Sequence, residues 1–288
     1  MAKYNINNVK FFTKDKRRYV TINQCGVEAT YPFDTPATDF PVKAVMMDLD
    51  GTTVKSEEFW VYLIQKTIRK LTSNPEFTLS DEDLPFVSGF STAEHLSYCL
   101  KKYNLPYTIS ESDNLYHKTA EYELNEIMEG RGNVDAFRPR DGIKDFLLTL
   151  KANGVKIGLA TSGLDYKAIP EIVSTFRVLS MGNPADFYDA IITGGKRKQK
   201  GNYGTIGELA VKPHPWIYKE LALGLGVNAD EAIVVEDSSA GLISGRTAGF
   251  NVVGFADGNL RQSGLTDECF AVVNDCSELL RIIGLKSR

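Results

Sequence analysis

At 288 residues with a formal net charge of −4, the chain can hold one large domain or two smaller ones, each with a sizeable core. Hydrophobic content of 43% and charged content of 24% are globular averages and exclude wholesale disorder. The acidic balance gives no overall attraction for nucleic acid or an anionic membrane, and no run approaches about 18 consecutive apolar residues, so neither partner is expected.

Residues 1–40 precede the first clear buried strand. Within them Val9–Thr13 and Arg18–Asn23 have β-type composition around the charged turn Lys14-Asp15-Lys16, which predicts a hairpin. Pro32, Pro36 and Pro41 then break regularity, so the segment reads as an extension joined to the core by a linker. Cys25, Cys99, Cys269 and Cys276 show no CxxC pair and no metal-ligand spacing. They read as reduced thiols, and with no signal-peptide stretch over Met1–Phe12 the expected setting is the cytoplasm.

The apolar strand Lys43–Met47 follows and runs into Asp48-Leu49-Asp50-Gly51. From Ser56 to about Arg138 the pattern is helical. Glu57–Leu71 carries Phe59, Leu63, Ile64, Ile68 and Leu71 at helical spacing, with Ser56 as its N-cap. Thr92–Tyr103 and Ser110–Glu129 repeat the signature, with Thr92 and Ser110 in the capping positions. From Pro139 the period changes. Helices over Ile143–Asn153, Pro215–Leu223 and Ala240–Ala248 alternate with apolar strands at Val155–Ala160, Phe187–Ile192, Ala232–Val235, Val252–Phe255 and Ala271–Val273. Short apolar strands alternating with helices predict an α/β fold, a Rossmann-like three-layer core around a parallel sheet. The expected division is an extension over 1–40, a core over 41–55 and 139–288, and an all-helical cap over 56–138 inserted after the first strand.

Ligands of such a sheet bind at the carboxyl ends of its strands. Four polar features fall there: Asp48 and Asp50; Thr161-Ser162-Gly163; Lys212-Pro213-His214-Pro215; and Glu236-Asp237-Ser238-Ser239. Singly, each has an ordinary reading as an acidic turn, a helix cap, a surface turn or a capping cluster. Jointly, at the strand ends or helix starts of one sheet, they form a set suited to phosphoryl transfer through an aspartyl-phosphate. Asp48 would attack phosphorus. Mg²⁺ between Asp48, the phosphate and Asp237 would reduce charge repulsion. Thr161 and Lys212 would hold phosphate oxygens, Asp50 would protonate the leaving oxygen and then activate water, and Glu236 would orient the metal site.

In this order the motifs resemble the four motifs of the haloacid dehalogenase superfamily, in the branch with a helical cap after the first motif. Asp48-Leu49-Asp50-Gly51-Thr52 is similar to the nucleophile motif, Ala160-Thr161-Ser162 to the phosphate-hydroxyl motif, Lys212-Pro213-His214-Pro215 to the lysine motif and Glu236-Asp237-Ser238-Ser239-Ala240-Gly241 to the metal motif. Pro139-Arg140-Asp141-Gly142-Ile143 resembles the return from the cap. The resemblance implies Mg²⁺ on Asp48, Asp237 and the Asp50 backbone carbonyl with Glu236 behind, phosphate contacts from Thr161, Ser162 and Lys212, and a small phosphorylated metabolite as substrate. Halide-removing members lack an acid at the second position, so Asp50 with Asp237 points to phosphoryl transfer.

β-Phosphoglucomutase-like relatives usually carry Asp and His where Lys55 and Trp60 stand here, and a basic residue in the cap's specificity loop. The matching loop, Ser88-Gly89-Phe90-Ser91-Thr92, has no arginine. That favours a Mg²⁺-dependent phosphatase hydrolysing a small phosphate monoester, such as a sugar phosphate. A phosphosugar mutase is the alternative, and a non-catalytic regulatory protein on this scaffold a remote one. Lys55, Trp60, Gly89, Ser91, Thr92 and His95 are the candidate specificity residues. Lys196-Arg197-Lys198-Gln199-Lys200-Gly201 reads as a solvated loop, and His117 and His214 as structural residues.

Overall fold

The computed structural model describes residues 6, 8–24, 27–83, 92–133, 135–196 and 211–285. Alternation of more and less exposed residues carries the chain first through three antiparallel strands, β1 (Val9–Lys14), β2 (Arg17–Gln24) and β3 (Val27–Pro32), in the order β1-β2-β3. The expected hairpin thus gains a third strand. Its signal was the alternation of partly buried Val27, Ala29 and Tyr31 with exposed Glu28 and Thr30. This sheet is no loose appendage, because Val20, Ile22 and Phe33 are fully buried in one cluster with Ile217, Leu221 and Ile243 of the core. Arg18 clamps Glu268 through two hydrogen bonds of 2.8 and 3.0 Å, and Arg246 donates to the Asp34 carbonyl at 2.8 Å.

Strand β4 (Ala44–Asp48) is buried at every residue. After it, β5 (Val54–Lys55) leads into α1 (Glu57–Thr72), α2 (Thr92–Lys102) and α3 (Ile109–Met128), and β6 (Arg138–Pro139) brings the chain back. β5 and β6 pair antiparallel, Val54 with Pro139 and Lys55 with Arg138, so exit and return lie side by side. Two capping expectations change. Thr108, not Ser110, caps α3, in a reciprocal box in which its hydroxyl accepts the Glu111 N–H at 3.2 Å and the Glu111 carboxylate accepts the Thr108 N–H at 2.8 Å. Ser56 occupies the N-cap position of α1 but makes no side-chain cap, because its hydroxyl is used at the site below.

The remaining elements are α4 (Ile143–Ala152), β7 (Lys156–Ala160), α5 (Asp165–Leu179), α6 (Pro184–Phe187), β8 (Ala190–Ile192), α7 (Trp216–Leu225), β9 (Ala232–Glu236), α8 (Ser239–Ala248), β10 (Asn251–Phe255), β11 (Ala271–Val273) and α9 (Cys276–Ile282). The strand expected over Phe187–Ile192 shortens to its last three residues. Asn183 caps a turn of helix that starts at Pro184 and consumes Phe187. Six strands form one parallel sheet in the order β11-β10-β9-β4-β7-β8. Side-chain parity along β4 splits the interior into two cores. Val45 and Met47 face a cluster with Phe146 and Leu150 of α4, whereas Ala44 and Met46 face Leu221 of α7 and Leu242 of α8. The α/β class read from the sequence is the class observed. The first cluster continues into the inserted helices through Phe137, whose ring meets Phe59 edge to face at 4.8 Å. No helix among the described residues is long and apolar enough to cross a membrane.

Because Ile22 lies in the second core, Ile22→Ala should destabilise the whole protein by about 2–4 kcal/mol in urea unfolding, as for other large-to-small core changes. A loss below about 0.5 kcal/mol, typical of surface sites, would mean that the N-terminal sheet folds independently of the core.

Candidate active site

The carboxyl ends of β4, β7 and β9 converge where the chain order reverses on either side of β4. β4 ends on Asp48, which is only 6% exposed. The turn after it is closed by the Gly51 N–H donating to the Val54 carbonyl at 2.7 Å and by the Thr53 hydroxyl donating to the Asp48 carbonyl at 2.6 Å. Gly51 has φ +80°, and a Cβ there would stand 2.1 Å from Asp237 Oδ2, so both the turn and the neighbouring carboxylate exclude a side chain. Arg140, on the return from the inserted helices, donates to the Thr52 carbonyl at 2.8 Å and to the Gly51 carbonyl, pairs with Asp257 at 3.0 Å and lies over the Phe255 ring. It pins the turn from outside.

Lys212 is the hub. Its ammonium donates to Asp48 Oδ1, to Glu236 Oε1 at 2.6 Å and to the Ala160 carbonyl at 3.1 Å, and its backbone N–H donates to the Ser162 hydroxyl at 3.0 Å. Glu236, fully buried at the end of β9, also accepts the Tyr218 hydroxyl at 2.6 Å and the Ser238 hydroxyl at 3.1 Å. Asp237 accepts the Thr52 hydroxyl at 3.2 Å. Thr161 is buried and its hydroxyl accepts the Gly163 N–H at 2.9 Å. Asp50 sits apart from this hub, its Oδ1 accepting the Ser56 hydroxyl at 2.7 Å and the Trp60 indole N–H at 2.8 Å.

Burial pushes Asp48 well above the usual carboxylate range, aided by repulsion from Glu236 and opposed by Lys212. Burial and Glu236 likewise raise Asp237 to about 7. Burial disfavours charge on Lys212, but Asp48 and Glu236 outweigh it and hold the ammonium protonated. Asp48, Glu236 and Asp237 each present an oxygen within 4.8 Å of the others. Three clustered carboxylates against one lysine leave excess negative charge among hard oxygen donors, which fits a divalent cation such as Mg²⁺.

Sequence reading therefore named the residues of the hub, and the structure brings Asp48, Thr161, Ser162, Lys212, Glu236 and Asp237 together. It did not find Tyr218, Ser56 as an Asp50 partner, or Arg140 as the brace of the turn. Nor did it find Lys167, whose ammonium lies 4.1 Å over the Trp60 ring and donates to the Tyr116 hydroxyl at 3.2 Å, or Glu171, a buried carboxyl beside Asp50 whose proton affinity is raised by burial. Ser56 reads locally as a helix cap and Arg140 as part of the return from the inserted helices, while Tyr218, Lys167 and Glu171 lie outside the four motifs and carry no local signature. Lys55 is half exposed and pairs with Asp257 at 3.7 Å. Thr92 opens α2, and His95 is buried there with its pKa lowered to about 4 by burial. Gly89 and Ser91 lie outside the described residues, as does the basic loop beyond Lys196. His117 is tied to Tyr166 and Asp113, and His214 packs in the interior.

The sequence pattern of the haloacid dehalogenase-like hydrolases matches residues 45–255. Among known proteins, YhcW of Bacillus subtilis, which carries a phosphatase name, is 25% identical over 74% of this chain and 82% of its own. The β-phosphoglucomutase of Bacillus subtilis is 28% identical over 75% and 84%. CbbY from Rhodobacter sphaeroides, solved in complex with phosphate, superposes with a TM-score of 0.60 at 19% identity, covering 83% of this chain and 96% of that one.

Because the folded-state pKa of Asp237 is raised, its carboxyl favours the fold at low pH, and that contribution is lost as pH rises from about 4 to about 7. In metal-free protein at pH 8, Asp237→Asn should therefore raise stability, by on the order of 2 kcal/mol, with little effect at pH 4. Added Mg²⁺ should raise the Tm of the wild type and leave this variant unmoved; an equal shift in both would remove Asp237 from the cation site.

Proposed function

The chain belongs to the haloacid dehalogenase-like hydrolase family, and from that premise we propose that it is a phosphatase hydrolysing a small phosphate monoester, such as a sugar phosphate, through phospho-Asp48. The observation that carries the reading is the contrast between two carboxylates two residues apart. Asp48 is buried against a lysine, and Asp50 is held apart by Ser56 and Trp60. Environments that differ in this way fit one group as nucleophile and the other as acid–base.

In the first half-reaction an Asp48 carboxylate oxygen attacks phosphorus, the ester P–O bond breaks, and Asp50 gives its proton to the departing oxygen. In the second, Asp50 takes a proton from water, the water oxygen attacks phosphorus, and phosphate leaves with Asp48 restored. Thr161, Ser162 and Lys212 hold the oxygens that do not react. Mg²⁺ held by Asp48, the Asp50 carbonyl and Asp237, with Glu236 behind them, would supply charge neutralisation at phosphorus. The helices over 56–138 act as a cap that closes over the substrate and excludes water. Among the described cysteines Cys99, Cys269 and Cys276 are free thiols, which supports a cytoplasmic setting.

One observation favours the mutase reading. Although the loop from Ser88 to Thr92 has no arginine, Lys167 places a cation beside Trp60 and Tyr116, where a second phosphate could be held. Assaying glucose 1-phosphate separates the two, since a phosphatase releases inorganic phosphate and a mutase yields the isomer. Asp48→Asn should abolish turnover with the fold intact, and wild-type rates in that variant would refute the nucleophile assignment. Asp50→Asn should lower kcat by about 10²-fold or more, the usual range for general acid–base groups. A screen of phosphorylated metabolites with Mg²⁺, repeated with a chelator, tests substrate and metal together; failure on every ester would favour a non-catalytic role.

A further inference from the structure

The family match begins at residue 45, and β1, β2 and β3 precede it. These strands nevertheless reach the loop that carries Lys212. The Tyr31 hydroxyl on edge strand β3 lies 2.9 Å from His214 Nδ1, and the two rings meet edge to face at 5.8 Å. The tyrosine hydroxyl can donate or accept, so it satisfies Nδ1 in either tautomer of the imidazole. His214 is fully buried, and its backbone is held at both ends. Its N–H donates to the Val211 carbonyl at 3.1 Å, spanning Lys212 and Pro213, and its carbonyl accepts the Ser244 hydroxyl at 2.6 Å. The loop is thus pinned by Ser162 and Ser244 from the core and by Tyr31 from outside the family region.

We propose that Tyr31 is a positioning residue for Lys212, and that the N-terminal sheet braces the lysine loop of the active site. A lysine has a long, flexible stem, and its ammonium stays between Asp48 and Glu236 only while the backbone beneath it is held. Sites of this kind depend on supporting contacts that fix geometry to within about half an ångström. Tyr31 supplies such a contact two residues from Lys212, through a ring with no exposure to solvent. The same sheet packs Val20, Ile22 and Phe33 into one apolar cluster with Tyr218, which donates to Glu236, so both partners of the hub are supported from this side.

The proposal rests on the phosphatase reading only for its kinetic readout. With phenyl phosphate and Mg²⁺, Tyr31→Phe should lower kcat by about five- to tenfold, the rate equivalent of one hydrogen bond, with KM within about twofold. His214→Leu should lower kcat similarly, and the double variant should be no worse than His214→Leu alone. Thr30→Ala, on the exposed face of the same strand, should match the wild type. Acetylation of Lys212, followed by mass spectrometry, reads the lysine without any turnover and should be faster in Tyr31→Phe. Unchanged kcat in Tyr31→Phe, or losses that add in the double variant, would overturn the proposal. If the wild type hydrolyses no ester, the phosphatase reading falls, and the proposal is then decided by Lys212 labelling, with unchanged labelling overturning it.

Discussion

The ammonium of Lys212 between the carboxylates of Asp48 and Glu236 is the contact on which the rest of this structure depends. A buried charge is tolerated only where its partners and remaining hydrogen bonds are in place, and removing one partner leaves a strongly unfavourable uncompensated charge. Each neighbour of the hub meets that requirement. Tyr218 and Ser238 complete Glu236, the Ala160 carbonyl takes a third ammonium bond, and Ser162 holds the lysine backbone. Close packing follows from the same demand: a Cβ on Gly241 would stand 1.8 Å from the Glu236 carboxyl carbon.

That hub separates the two aspartates of the first motif although they are two residues apart. Asp48 faces the lysine, and the turn at Gly51 swings Asp50 toward Ser56 and Trp60 at the start of the inserted helices. Asp50 is therefore positioned by residues at the start of the inserted helices. Trp60 packs on Phe59 and Phe137, and Lys167 of the core helix α5 lies over its outer face. Any movement of the inserted helices relative to the sheet is transmitted to Asp50 through Ser56 and the indole N–H, whereas the Lys212 hub is held by the sheet. The two halves of the site thus have different mechanical supports.

Parity and period made much of the fold legible. Strands β4, β7, β9 and β10 are apolar except for one end residue each, Asp48, Lys156, Glu236 and Asn251, as expected when both faces of a parallel sheet are covered. Elements were missed where local signals competed. β3 ends on a proline, α5 contains Pro170, and α6 takes Phe187, the first residue of the expected strand. Thr108 and Ser110 are both competent caps for α3, and only the reciprocal contact with Glu111 decides for Thr108.

The sequence by itself determined the alternation of strands and helices and the identity of the polar residues at the strand ends. Both are properties of local period and residue type, which act within a few residues. Only the tertiary structure decided that Lys212 bridges Asp48 and Glu236, that Ser56 and Trp60 serve Asp50, that Arg140 braces the Gly51 turn, and that Tyr31 reaches His214. Many of these contacts join residues tens to well over a hundred positions apart. Their formation depends on sheet order and on which face each helix presents, and burial makes such contacts obligatory once the groups have left water.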